Sequence, residues 1–458
     1  MSPLWTARAA AAATGGRIGG AWHADGVSID TRQLAPGDLF VALPGRFTDG
    51  HAFLDAAFAG GAAAALVRPQ DRNDDRYLVV DDPLEALQAL GRTARRRTKA
   101  KIVAVTGSVG KTGTKELLRA ALTPLGDVHA SAASHNNAIG VPLSLARMPA
   151  ASAAAVFELG MNHAGEIRSL VDLVRPDVAM VTRIAPAHLE QFGSLGRIAE
   201  AKAEIFAGLK PGGTAVLPIN TPGAAVLRRA AADSGAARIV TFGTGDDADA
   251  RLLEVNPTDT GLTFRWSFAG NVNCWRLRLS GAHWALNAVA AGCVAELLGV
   301  APPVAGARME VVEPLAGRGR RHAVHLADGD AWVIDDSYNA NPASMCAALA
   351  ALRNMPATGR RLAVLGEMKE LGRASAELHA GLAAALEGVD RVWCVGPEMA
   401  ALHRELPDAT AGDLLADAAA AAERAASELR PGDILLVKGS RSNALETVVA
   451  RVTGSKAR

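Results

Sequence analysis

The chain has 458 residues, 49% of them hydrophobic, with 48 basic against 47 acidic side chains and a net charge of +1. That length exceeds one ordinary core and predicts two to four domains; the charge balance excludes the broad basic footprint of a nucleic-acid-binding protein. Four scattered cysteines (Cys274, Cys293, Cys346, Cys394) form no CxxC pair, which excludes a disulfide framework or thiolate cluster and suits a reducing compartment.

The alanine run Ala9 to Ala13 halts at Thr14-Gly15-Gly16. It is too short and too weakly apolar for a signal peptide or a membrane span, so a cytoplasmic chain without membrane insertion is expected. The run Gly37-Asp-Leu-Phe-Val-Ala-Leu43 reads as a strand entered from a Pro-Gly turn. Phe53 to Val67 reads as a small-residue helix feeding another strand. The basic stretch Thr93 to Lys101 reads as a solvated helix end before a strand.

A second block opens at Ile102-Val-Ala-Val-Thr106. Further strands are expected at 153–157, 178–182 and 214–217 with helices between, which predicts a mostly parallel sheet covered on both faces. The stretch 250–280 looks antiparallel. A third block starts near residue 316, with strands at 331–335, 361–365, 391–395 and 433–437 alternating with alanine-rich helices. Ligands collect at the carboxyl ends of such strands. Here those ends carry Asp335-Asp336, Gly366-Glu367, Gly396 and Lys438-Gly439-Ser440.

Between strand and helix stands Thr106-Gly107-Ser108-Val109-Gly110-Lys111-Thr112. A loop in that setting turns successive backbone N–H groups toward phosphate oxygens, and the helix N-terminus adds positive potential. Lys111 can reach the terminal phosphates of a nucleotide and the Thr112 hydroxyl can ligate magnesium. The pattern is not the standard one, because Val105 stands where GxxxxGK[ST] has glycine.

The helix expected over about 196–209 carries an apolar stripe of Ile198, Ile205, Phe206 and Leu209, and Lys202 falls inside it. A lysine is rarely buried without a partner or a function. Burial lowers its pKa, and the neutral amine is open to carbamylation by carbon dioxide. The plain alternative is a snorkelling side chain. Glu158 and His188 each follow a strand near the same loop, and a carboxylate, an imidazole and a carbamate there would suit one or two magnesium ions.

These stretches, taken in order, resemble the Mur ligase family over nearly the whole chain. The carriers are Asp30-Thr-Arg-Gln-Leu-Ala-Pro-Gly-Asp-Leu-Phe-Val-Ala-Leu43, Asp49-Gly-His51, the phosphate loop, Asn136-Asn137 with Ile139-Gly-Val-Pro142, and Glu158-Leu-Gly-Met-Asn-His163. Ala185-Pro-Ala-His-Leu-Glu190, Ala201-Lys202, Asp335-Asp-Ser-Tyr-Asn-Ala-Asn-Pro342, Gly366-Glu-Met-Lys-Glu-Leu-Gly372 and Lys438-Gly-Ser-Arg441 complete them.

The resemblance implies an α/β protein of three domains. A small α/β domain (1–99) binds a UDP-linked muramyl tripeptide. A central P-loop ATPase domain built on a parallel sheet (100–315) binds ATP. A C-terminal Rossmann-like domain (316–458) closes over ATP and takes D-alanyl-D-alanine. It implies an ATP-dependent ligase forming a C–N bond through an acyl phosphate in peptidoglycan precursor synthesis.

By resemblance, Ser28, Thr31, Arg32, Asp49, Gly50 and His51 face the UDP-sugar, and Asn136 and Asn137 the rest of that substrate. Gly107 to Thr112 hold phosphate, Asn287 the adenine, Arg318 phosphate and Asp336 the ribose. Thr112, Glu158, His188 and carbamylated Lys202 serve the metals, while Asn339 and Asn341 lie near the dipeptide. Lys111, Lys202, His188 and Arg318 form the expected catalytic set.

Two departures stand out: Trp284 follows His283 where many relatives have asparagine, and Ala138 follows Asn137 where a larger residue is common. Asn339 and Asn341 read equally well as turn formers before a helix. A monomer is expected. The competing readings are a sister ligase adding the third peptide residue, a folylpolyglutamate synthase, and outside the ligases a nucleotide switch or motor. The sister ligase usually carries an Asp-Asn-Pro-Arg motif that this chain does not show.

Overall fold

The computed structural model describes residues 3–45, 48–69, 73–132, 135–258 and 260–455. Three sheets organise it, beside a two-stranded antiparallel ribbon of Trp5–Thr6 and His23–Ala24. The first has five strands in the order Arg17–Ile18, Tyr77–Val79, Ala64–Val67, Asp38–Val41 and Gly26–Ser28, parallel except at the Arg17–Ile18 edge. The expected stretch Phe53 to Val67 is a helix, Leu54–Ala59, feeding Ala64–Val67.

The second sheet has nine strands, and Lys101–Thr106 lies inside it between Val178–Val181 and Ala154–Glu158, parallel to both. Beyond Val178–Val181 come Thr214–Pro218, Arg238–Gly243 and Ala250–Thr258, also parallel. The antiparallel stretch expected at 250–280 then adds Gly261–Phe268 and Asn271–Leu277 to the same sheet.

Alternation decides its two faces. Val103, Val105 and Val156 pack with Leu117, Leu118 and Val289 on one side, while Ile102, Ala155 and Phe157 pack with Leu170, Ile198 and Phe206 on the other. Burial on both faces explains the unbroken β-branched run, and each fully buried side chain stabilises the fold by about 1.5–3 kcal/mol.

The third sheet runs Arg320–Leu326, Gly329–Asp336, Ile434–Lys438, Arg361–Gly366, Arg391–Val395 and Ala411–Leu415. All neighbours are parallel except the first pair. The strands Val128–Ala130, Arg238–Gly243, Arg320–Leu326 and Ala411–Leu415 were not expected, nor were Gly26–Ser28 and Tyr77–Val79 of the first sheet.

Two expectations are corrected. The helix over 196–209 is α-helical only across Leu195–Ala203 and tightens to a 3-10 turn over Glu204–Gly208. The Glu204 carboxylate there accepts from the N–H groups of Gly165 (2.7 Å) and Arg168 (3.0 Å), capping the helix Glu166–Val174. The basic run is not wholly solvated. Arg95 is buried and donates to Val174 O and Arg175 O at 2.6 Å each, and Arg97 donates to Leu4 O at 2.8 Å.

The first sheet is tied to the second around the helix Gly140–Ala146. Trp5 Nε1 donates to Ala146 O (2.9 Å), Arg147 Nε donates to Val27 O (2.5 Å), and Gly91 admits Pro142 and Leu145. Among the described residues no helix is long and apolar enough to cross a membrane, and all four cysteines are free.

Candidate active site

The strand Lys101–Thr106 ends in the loop 107–110, and the helix Lys111–Ala121 begins on its far side. Gly107 (φ 153°) and Gly110 (φ 83°) adopt backbone that L-residues avoid. A Cβ on Gly107 would lie 1.9 Å from Thr182 Oγ1. Thr182 and Arg183, at the end of the adjacent strand, fasten the loop: Thr182 Oγ1 donates to Val109 O (2.6 Å) and Ser108 N–H to Arg183 O (2.7 Å).

Lys111 Nζ folds back onto Gly107 O at 2.7 Å, and burial pushes its pKa below the ordinary lysine value. Thr112 Oγ1 donates to Glu158 Oε2 (2.8 Å), whose other oxygen accepts from Asn136 Nδ2 (2.7 Å). Glu158 is buried at the carboxyl end of its strand. The glycine loop, hydroxyl, carboxylate and amide thus form one constellation; the Asn136 contact with Glu158 was not foreseen.

Lys202 faces the same cavity at only 1% exposure. Burial first, and then the nearby Lys111 charge, hold its pKa well below 10.5. Its amine makes no hydrogen bond or ion pair with another described residue. Snorkelling into solvent is therefore not what this side chain does. His188, in left-handed backbone (φ 57°), also lines the cavity, and its Nδ1 meets Glu370 Oε2 of the third sheet's body at 2.5 Å.

The opposite wall belongs to that third body. Asp336 pairs with Lys438 Nζ at 2.7 Å, and Lys438 also donates to Asn339 O at 2.8 Å. Burial nevertheless raises the Asp336 pKa against the pull of Lys438. The Arg318 guanidinium lies 4.2 Å from the Tyr338 ring centre. Asp335 takes Gly317 N–H (2.8 Å) and Ser337 Oγ (2.6 Å), which fixes the segment carrying Arg318. The cavity measures about 450 Å³.

A third contribution comes from the helix Ala282–Leu297. Asn287 lies against Gly110, where a Cβ would stand 3.1 Å from its Oδ1. One turn earlier Trp284 lies against Gly113, where a Cβ would stand 2.6 Å from the indole.

Of the remaining candidates, Asn339 and Asn341 line the same cavity, whereas Asn137 and the six of the first sheet's body do not. Asn341 caps the helix Pro342–Arg353, its Oδ1 accepting from Ser344 N–H at 2.9 Å, so the turn-forming reading describes its side chain. Asn339 Oδ1 accepts from Ala340 N–H at 2.9 Å. Asn137 Oδ1 likewise accepts from Gly140 N–H at 2.8 Å, and Asn137 lies outside the cavity.

Ser28, Thr31, Arg32, Asp49, Gly50 and His51 also lie outside it, at the carboxyl ends of the first sheet's parallel strands. Ser28 Oγ donates to Asp30 O (3.1 Å), and Arg32 pairs with Asp30 at 2.7 Å. His51 Nδ1 bonds Asp49 at 2.6 Å, its Nε2 accepts from Arg68 N–H at 3.0 Å, and the Arg68 side chain pairs with Asp49. Hydrogen bonds from His51 lower the Asp49 pKa. A Cβ on Gly50 would meet the Ala42–Leu43 backbone at under 3 Å.

Sequence reasoning did not single out Thr182, Arg183, Arg68, Glu370 or Lys438 as side chains with roles. Glu370 and Lys438 sit in stretches that carried the family resemblance; the other three follow strands without any motif of their own.

Among the described residues no group of three or more His, Cys, Asp or Glu is placed to hold a metal. Thr112 and Glu158 nevertheless offer a hydroxyl and a buried carboxylate at the phosphate loop. That oxygen donor pair fits magnesium, whose shell is ordinarily completed by water and phosphate.

Three family models match the chain: the Mur ligase family catalytic domain at residues 23–123, the Mur ligase middle domain at 105–295, and the Mur ligase glutamate ligase domain at 319–441. The UDP-N-acetylmuramoyl-tripeptide–D-alanyl-D-alanine ligase of Escherichia coli is 39% identical over 93% of each chain. A structure of MurF from Acinetobacter baumannii superposes with a TM-score of 0.84 at 32% identity, covering 98% of this chain and 99% of that one. The MurF ligase of Thermotoga maritima in complex with ADP superposes with a TM-score of 0.79 at 28% identity, covering 94% and 97%.

Proposed function

This chain belongs to the Mur ligase family, and we propose from that premise that it joins D-alanyl-D-alanine to UDP-N-acetylmuramoyl-tripeptide at the expense of ATP. The observation that carries the reading is one cavity in which the phosphate loop of Lys111 faces Arg318 and Asp336 across from buried Lys202.

A carboxylate is a poor electrophile and must be activated before an amine can displace oxygen from it. The γ-phosphoryl group of ATP passes to the terminal carboxylate of the tripeptide, giving ADP and an acyl phosphate. The amine of D-alanyl-D-alanine then attacks the acyl carbon, phosphate leaves, and the amine proton goes to solvent. Lys111, the loop N–H groups and Arg318 offset charge where anions crowd, the chief protein contribution to such a transfer. Domain closure over the site would keep water from the acyl phosphate.

Thr112 and Glu158 would hold magnesium, and His188 with carbamylated Lys202 a second ion; bound there, the metal neutralises phosphate charge. Lys202 supports carbamylation by its burial and depressed pKa: the neutral amine adds to carbon dioxide with loss of one proton. Asn287 and Asp336 take the base and ribose. Ser28, Thr31, Arg32, Asp49, Gly50, His51, Asn136 and Asn137 take the UDP-linked substrate, and Asn339 and Asn341 border the dipeptide's approach. In this reading residues 1–99, 100–315 and 316–458 are the UDP-substrate, ATP and dipeptide domains of a monomeric cytoplasmic enzyme.

Purified protein should release ADP only when both the UDP-tripeptide and the dipeptide are present. ATP turnover independent of either co-substrate would sink the reading. Activity in carbon-dioxide-depleted buffer should fall and return with bicarbonate, and Lys202→Arg should show no such return.

A further inference from the structure

We propose that Arg183 is a further nucleotide-binding residue, its guanidinium gripping the part of the polyphosphate that ADP retains. The inference rests on the ligase reading above and adds one contact to it.

The sheet sets the placement. Val178–Val181 runs parallel to Lys101–Thr106, so the residues that follow the two strands emerge at the same end of the sheet. Successive side chains there part company. Thr182 turns its hydroxyl into the phosphate loop, while Arg183, next in line, lines the cavity. The Arg183 main chain closes on the loop as well. Its carbonyl accepts from Ser108 N–H at 2.7 Å, and a Cβ on Gly107 would stand 3.1 Å from its nitrogen. The side chain thus rises from the rim of the cradle whose N–H groups suit phosphate.

Charge supplies the second argument. Five lysine and arginine side chains line the cavity, against the two carboxylates Glu158 and Asp336. Lys438 is committed to Asp336, Lys111 lies folded onto Gly107 O, and Arg318 stacks on Tyr338. Arg183 is exposed, and its guanidinium makes no hydrogen bond or ion pair among the described residues. A planar fork of N–H donors is therefore left for phosphate oxygens, which arginine binds in pairs. Cations gathered in this excess repel one another, and a bound polyphosphate relieves the repulsion.

The neighbours of Arg183 indicate which phosphates it meets. His283 stands at the start of the helix that carries Asn287. Burial, and then the charges of Lys438 and Arg183, push the His283 pKa down to about 4. After burial, the charge that lowers the pKa of Lys202 is that of Lys111. Arg183 accordingly lies toward the ribose and base, where Lys438 pairs with Asp336, and Lys111 toward the phosphoryl group that is transferred. A contact on the nucleotide's retained side is made alike in ATP, in the transition state and in ADP, so it contributes to binding and little to rate.

Both loop contacts of Arg183 belong to its main chain, so trimming the side chain leaves the cradle in place. The test is calorimetric binding of ADP and of adenosine, with magnesium, to the full-length wild type, Arg183→Ala and Arg183→Lys. Arg183→Ala should weaken ADP about tenfold or more and leave adenosine within about twofold of wild type. Arg183→Lys, a point charge without the fork, should fall between the two. In steady state KM for ATP should rise by a similar factor, and kcat should fall far less than KM rises. Unchanged ADP affinity in Arg183→Ala would overturn the assignment. So would an equal loss for ADP and adenosine, which marks a distorted site, or a KM rise confined to the UDP-tripeptide. A wild type that bound neither ATP nor ADP would instead overturn the ligase reading itself.

Discussion

His188 Nδ1 and Glu370 Oε2 meet at 2.5 Å from two different bodies of the molecule, and both residues hold left-handed backbone, at φ 57° and 63°. Non-glycine residues occupy that region at a cost, so the pair is held in place by what surrounds it. Glu190 N–H donates to Glu370 O at 3.1 Å, and Leu189 packs into the third body's core. This contact fastens the nine-stranded sheet's body to the Gly366–Gly372 loop.

Removing the Glu370 carboxylate should loosen that fastening. Glu370→Ala should lower kcat/KM by about tenfold or more, the range found for groups that orient a first-line ligand. Small-angle scattering of the ligand-free variant should show a larger radius of gyration than wild type. Identical scattering would mean that other contacts hold the bodies together.

Gly113 leaves no room for a side chain, because the Trp284 ring occupies the place of a Cβ. Overpacking of this kind costs about 1–3 kcal/mol. Gly113→Ala should lose stability on that scale in urea denaturation and raise KM for ATP, since the helix it displaces carries Lys111 and Thr112. Gly113→Ala with Trp284→Ala should regain much of the loss. Equal stability of the single variant and wild type would show that the indole simply moves aside.

Lys202 makes stability depend on pH. Its folded pKa lies well below the unfolded value, so the unfolded chain binds the extra proton, and stability rises as pH climbs from the folded pKa toward 10.5. In carbon-dioxide-free buffer, wild type should gain stability between neutral and alkaline pH relative to Lys202→Met. The variant should be the more stable of the two at neutral pH and should lose activity by about a hundredfold or more. Parallel pH profiles of the two proteins would refute the depressed pKa.

Arg147 joins the first two sheets through Val27 O, one residue before Ser28. Arg147→Ala should cost about 1–3 kcal/mol, as for a charged donor lost from a buried acceptor. It should raise KM for the UDP-tripeptide more than KM for ATP. An equal rise in both would argue that the contact serves general stability alone.

Much of the site could be read in sequence because its chemistry is local. The loop from Gly107 to Thr112 declares itself by glycines, a lysine and a hydroxyl between a β-branched run and a helix, and Glu158 by its place after an apolar strand. Lys202 announced burial by falling in an apolar stripe. Periodicity carries such information because a helix face or a strand face is decided within a few residues.

What lay out of reach depends on which strands become neighbours. Thr182 fastens the phosphate loop only because Val178–Val181 pairs with Lys101–Thr106. The Arg95 guanidinium is buried only because a distant helix ends above it. Glu204 leaves the helical pattern to cap another helix, and the Asn341 Oδ1 caps a helix at the edge of the cavity. Local residue order thus determined which chemical groups this protein brings, while tertiary packing decided which of them remain free to act, since a hydrogen bond or an ion pair is settled by neighbours in space.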